Sequence, residues 1–89
     1  MGLFKLGNLL ATPGVLEAAR GDDLIRYLSR HARGDWGTVH QHDARANDQA
    51  LVNGTRIISA YILLDGKTRI WIITEADRSA TTILLPDEY

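Results

Sequence analysis

Eighty-nine residues, 45% of them hydrophobic and with ten basic against eleven acidic side chains, are enough for one folded domain around one modest core. The chain has no cysteine, which excludes a disulfide framework and a thiolate metal site. A net charge of −1 does not favour nucleic-acid binding through phosphate contacts, which ordinarily needs a basic excess.

The opening Met1-Gly2-Leu3-Phe4-Lys5-Leu6 is weakly apolar, but Lys5, Gly7 and Asn8 interrupt it too early for a secretory leader. Leu6 stands where an N-myristoylation signal needs Ser or Thr. No run of residues approaches membrane-spanning length. The expectation is a soluble, cytoplasmic domain with no membrane association.

Residues 3–10 read as a short strand or an extended arm, with Phe4, Leu6 and Leu10 on one side. Thr12-Pro13 then opens a helix over 13–20, because Thr caps well and Pro suits the first helical position. Asp22 or Asp23 caps a second helix running to Arg33, with Gly34 as its left-handed terminator. At 100° per residue, Leu24, Ile25, Leu28 and Ala32 gather on one face of that helix. Arg26, Arg30 and Arg33 gather on the other, with Tyr27 and His31 on the border.

A loop over 34–42 carries Asp35-Trp36-Gly37. Asp43 is placed to cap a third helix over 44–52, closed by Asn53-Gly54. Its apolar stripe is poor, with Ala44 and Leu51 in it and Val52 to one side. Asn47 and Asp48 flank that stripe, a position that polar groups occupy when they bond something specific.

From residue 56 the period becomes two, and strands are predicted at 56–64, 68–75 and 80–85. Asp65-Gly66 signals a type I′ hairpin in which Leu64 pairs with Lys67. Ile57, Ser59, Tyr61 and Leu63 then share a face with Thr68, Ile70 and Ile72. Ile58, Ala60 and Ile62 share the other with Arg69, Trp71 and Ile73. The fold class is α+β: two or three short helices packed on an antiparallel three- or four-stranded meander, as a single domain over 1–89. Both sheet faces are apolar, and three short helices cover only one easily. The remaining face is expected to self-associate or to meet a partner.

Three constellations could carry chemistry. His40 and His42, with His31, Asp43 or Asp48, contain zinc-type ligands but lack diagnostic spacing, so exposed loop histidines are the simpler reading. Arg26, Arg30, His31 and Arg33 beside Asp35 and Trp36 could grip an anion, with His31 as acid or base. The simpler reading is a solvated helix face, with Trp36 closing the core. Glu75, Asp77 and Arg78 between the last two strands could form an acid–base centre, or simply a polar turn. Phosphate loops, nucleophile elbows and zinc-finger spacings do not occur. Neither a catalytic residue nor a cofactor is expected.

Three stretches carry a resemblance: His31-Ala32-Arg33-Gly34-Asp35-Trp36-Gly37; Ala46-Asn47-Asp48; and Trp71-Ile72-Ile73-Thr74-Glu75-Ala76-Asp77-Arg78-Ser79 with Thr81-Thr82-Ile83-Leu84-Leu85-Pro86. Together with Ser59-Ala60-Tyr61 they resemble a family of short bacterial proteins carried on plasmids and other mobile elements. The resemblance covers most of the chain after residue 11 and brings no catalytic residues with it. It departs at His42, where the family tends to have an acidic residue. Its setting implies proteins that inhibit host defences, such as anti-CRISPR or anti-restriction inhibitors, or that regulate plasmid maintenance. The order of elements is also similar to the RelE/ParE-type toxin layout, which implies a ribonuclease using Arg30, His31 and Arg33 with Asp35 or Asp77.

The expected function is a small non-enzymatic binding protein of a mobile element that blocks a host defence complex by protein–protein contact. A homodimer through a sheet face is a further expectation, and nucleic acid is less favoured as a partner. The expected binding set joins Arg26, Arg30, His31, Arg33, Asp35 and Trp36 to Tyr61, Trp71, Glu75, Asp77 and Arg78.

Overall fold

The computed structural model describes residues 2–89. In chain order the elements are β1 (Asn8–Ala11), α1 (Pro13–Ala18), α2 (Leu24–Ala32), α3 (Gln41–Asn53), β2 (Ile57–Ile62), β3 (Arg69–Thr74) and β4 (Ala80–Leu84). A 3₁₀ turn over Pro86–Glu88 follows. The four strands form one sheet in the order β1-β4-β3-β2, with helices packed on it, so the fold is α+β. β2, β3 and β4 make the expected antiparallel meander. β1 differs from the expectation: it spans only Asn8–Ala11 and runs parallel to β4, which makes the sheet mixed. Parallel neighbours need a long connection, and the three helices and two strands between them supply it.

The helix starts follow their caps. Thr12 Oγ1 accepts from the Val15 amide at 3.2 Å, and Pro13 is the first residue of α1. Asp23 Oδ1 accepts from the Ile25 amide at 3.1 Å and opens α2. In α3 the cap is His40 rather than Asp43: His40 Nδ1 accepts from the His42 amide at 3.1 Å, and Asp43 lies inside the first turn. The helix therefore begins three residues earlier than its Asp suggested. An imidazole nitrogen can replace a carboxylate here because a cap needs only an acceptor.

The phase of α2 also departs from the expectation. Tyr27 and His31 are its buried residues, whereas Ile25 is 70% exposed and Leu24 and Leu28 are half-buried. The helix is rotated because both polar side chains find partners in the interior, which makes their burial inexpensive. In α3 the same logic buries Asn47 and Ala50, and leaves Val52 87% exposed.

The register of the meander is as read, with Ile62 opposite Arg69 and Ile57 opposite Thr74. The turn chemistry is different. Only Gly66 has positive φ (76°) in the hairpin; Asp65 does not, so the turn is not type I′. Instead the Gly66 amide donates to Leu63 O at 2.9 Å. The Asp65 carboxylate then accepts from the Lys67 and Thr68 amides and from the Thr68 hydroxyl. A four-residue loop results, with the same pairing of the flanking strands.

The helices cover the face bearing Ile57, Ser59, Tyr61, Leu63, Ile70 and Ile72, all of them buried. Val15, Tyr27, Tyr61, Ile70, Ile72 and Ile83 form one core cluster, while Trp36, Ala50 and Ile57, with Phe4 against them, form a second. The outer edge of β2 is closed along Ile58 and Ala60. Asn47 bonds both backbone groups of Ile58, the Ala60 amide donates to Trp36 O, and the Thr38 amide donates to Ala60 O. Asp22 Oδ1 accepts from the Leu64 amide. Gly37, at φ 75°, makes this approach feasible, since a Cβ there would collide with the Ala60 carbonyl. The edge is thus shielded from strand addition.

Candidate functional site

His31 is completely buried between α2 and the sheet. Its Nδ1 lies 2.5 Å from Ser59 Oγ, and its Nε2 lies 2.8 Å from Thr74 Oγ1. Thr74 Oγ1 is 2.7 Å from Thr81 Oγ1, which donates to Leu6 O at 2.7 Å. The terminal carbonyl can only accept, and this orients the chain. Thr81 gives its proton to Leu6 O, Thr74 gives its proton to Thr81, and His31 donates from Nε2 to Thr74. Nδ1 is left as the acceptor for the Ser59 hydroxyl. Burial lowers the imidazole pKa to about 4, so the ring is neutral near pH 7. The Phe4 and Trp36 rings stand edge-on to it at 5.3 and 6.0 Å. His31 therefore pins α2 to three strands and presents nothing to a substrate.

The arginine cluster is dispersed. Arg30 Nε donates to Asp35 Oδ2 at 2.7 Å, and its guanidinium lies 4.7 Å from the centroid of the Tyr61 ring. That bond holds the Asp35 carboxyl below its ordinary range. Tyr61 donates to Asp35 O at 2.6 Å, and burial raises its own pKa to about 12. Trp36 is buried, and its indole N–H donates to Asp48 at 3.0 Å. These groups hold the 34–38 loop against β2. Arg26 and Arg33 are exposed and belong to no such network.

The turn between β3 and β4 is also structural. Asp77 Oδ1 accepts from the Ser79 amide at 2.9 Å. Arg78, at φ 61°, donates to Thr55 O, Glu75 O, Ala76 O and, at the end of α3, Ala50 O. It also lies over the Phe4 ring at 5.7 Å. Glu75 is exposed, opposite Arg56 if the β2–β3 register is extended by one pair. Among the described residues, no three His, Asp or Glu side chains gather as a metal site would require.

What remains open is the sheet face away from α1 and α2, on which Trp71 alone of the expected binding set stands on a strand. Strand alternation places Ile58, Ala60 and Ile62 there beside Arg69, Trp71 and Ile73, with Thr82 and Leu84 from β4. Ala60, Ile73 and Leu84 are themselves buried, so its accessible part is Ile58, Ile62, Arg69, Trp71 and Thr82. Leu10, 53% exposed, extends the surface from β1. Between this face and the first half of α3 lies a groove of about 440 Å³. Ile58, Ala60 and Trp71 line its sheet side, His40, Asp43 and Asn47 its helix side, and Arg56 and Arg69 also line it. Alternation had already paired Trp71 with Ile58 and Arg69. Arg56 and His40 were not foreseen, because a groove between a helix and a sheet has no periodicity in sequence.

No helix among the described residues is long and apolar enough to cross a membrane. No family model, curated protein or solved structure compared with this chain matches it.

Proposed function

We propose that the protein is a non-enzymatic binding module that meets a protein partner through the open sheet face. One observation carries this reading: a half-buried Trp71 at the centre of an apolar sheet face, beside a groove that Arg56 and Arg69 help to line. Aromatic and arginine side chains at the centre of an apolar patch are the usual anchors of protein interfaces. The motif resemblance attaches the module to a mobile element, and a host defence complex is the partner class that this setting suggests. The burial of His31, the pairing of Arg30 with Asp35 and the bonding of Asp77 within its turn weigh against the ribonuclease alternative, whose working groups those residues would be.

The test compares the two faces of the sheet. Tyr61→Lys places an ammonium in the packed face and is expected to unfold the domain. Ile62→Lys and Trp71→Ala alter the open face and are expected to leave a folded protein, by circular dichroism, that no longer captures the partner held by the wild type. Folded Ile62→Lys and Trp71→Ala proteins that both keep that partner would overturn the reading.

A further inference from the structure

The open face already holds one aromatic side chain of its own chain. After the 3₁₀ turn, the Tyr89 ring meets the Trp71 ring edge-on at a centroid distance of 5.7 Å. The Arg56 guanidinium lies 5.7 Å from the centre of the same ring and donates to the Tyr89 hydroxyl. Tyr89 is nevertheless 67% exposed, so it occupies one corner of the face and leaves the groove beside it free. The residues that deliver it are Pro86-Asp87-Glu88, an acidic segment.

From this geometry we infer that the groove takes an acidic peptide segment bearing an aromatic anchor. The inference rests on the open face being the partner surface and names the partner's chemistry. The anchor packs on Ile58, Ala60 and Trp71, and the flanking carboxylates meet Arg56 and Arg69. Charge supports this occupant. The Arg69 side chain makes no ion pair or hydrogen bond among the described residues, and the Arg56 side chain bonds only the Tyr89 hydroxyl. Asp43 is the one acidic side chain lining the groove, against Arg56 and Arg69. A cation on an apolar rim is used well by a bidentate carboxylate. Single-stranded nucleic acid fits less well: the strands offer one aromatic platform, Trp71, where stacking of successive bases needs several. Ile58, Ala60 and Trp71 on the sheet side of the groove suit an apolar side chain better than a phosphate backbone.

The test uses the full chain and labelled probes read by fluorescence anisotropy. The probes are a short peptide with a central Tyr flanked by Glu, its counterpart flanked by Lys, and oligothymidylate. The Glu peptide is expected to bind, to weaken as salt is raised, and to lose about tenfold or more in affinity in Arg56→Glu/Arg69→Glu. The Lys peptide is expected to bind that double variant better than the wild type. Failure of the Glu peptide to bind folded wild-type protein, equal binding of the two peptides, or preference for oligothymidylate overturns the inference. Partner capture separates it from the broader reading. A partner lost in Trp71→Ala but kept in Arg56→Glu/Arg69→Glu leaves the open face as the interface and removes the acidic ligand.

Discussion

Asn47 satisfies both outward-facing backbone groups of Ile58: its amide nitrogen donates to Ile58 O at 2.7 Å, and its carbonyl accepts from the Ile58 amide at 3.1 Å. One side chain from α3 thus continues the hydrogen-bond ladder of β2 where a further strand would otherwise pair. Asn47→Ala removes both bonds and leaves a partly buried donor and acceptor without partners. Its expected destabilisation is about 2–4 kcal/mol, from two lost bonds and incomplete rehydration. Urea unfolding measures it, and a loss below about 0.5 kcal/mol would show that α3 does not hold this edge.

The buried imidazole makes stability depend on pH. The folded state keeps His31 neutral down to about pH 4, whereas the unfolded chain takes up its proton near pH 6.5. Below the unfolded value the unfolded state binds more protons, so stability is complete above about pH 6.5 and declines as pH falls toward 4. The expected loss across that window is about 3 kcal/mol. Urea melts at several pH values measure the slope, and His31→Gln should lower stability near neutrality while flattening it. A wild-type slope of zero between about pH 6.5 and 4.5 would contradict the neutral, hydroxyl-bonded ring.

Arg78 links the β3–β4 turn to the end of α3 through four backbone carbonyls. Lysine keeps the charge but not the planar array of donors, so Arg78→Lys is expected to cost about 1–2 kcal/mol. Arg78→Ala should cost about 2–4 kcal/mol, since it also strips cationic partners from those carbonyls. Thermal denaturation of both variants checks the order. If they were equal and near wild type, the guanidinium would have no structural role.

Gly66 sits at φ 76° with open space where a side chain would go, so conformation alone opposes substitution. Gly66→Val is expected to cost about 1–2 kcal/mol, because a β-branched residue resists the left-handed region. Gly66→Asn should recover most of that loss. A urea midpoint unchanged by valine would place the chain reversal elsewhere.

Local signals settled much of this protein before any tertiary contact was considered. Thr12-Pro13 started α1, the Asp22-Asp23 pair held the cap of α2, Asp65-Gly66 placed the chain reversal that sets the meander's register, and period-two alternation gave both of its faces. Those features arise from interactions between residues close in sequence, or from a strict repeat, so they are legible there. The polar flank of α3 was equally visible as an anomaly, and Ile58 and Trp36 are the partners it called for. Tertiary structure alone decided which way α2 faces, because the burial of Tyr27 and His31 depends on Asp22, Ser59 and Thr74. It alone decided that Arg78 and Asp35 hold loops in place, since the carbonyls and guanidinium they meet come from other elements. The open face was also a tertiary decision. Both faces of β2 and β3 are apolar in sequence, and only the docking of α1 and α2 buries Tyr61 while Trp71 stays half-buried on the other face.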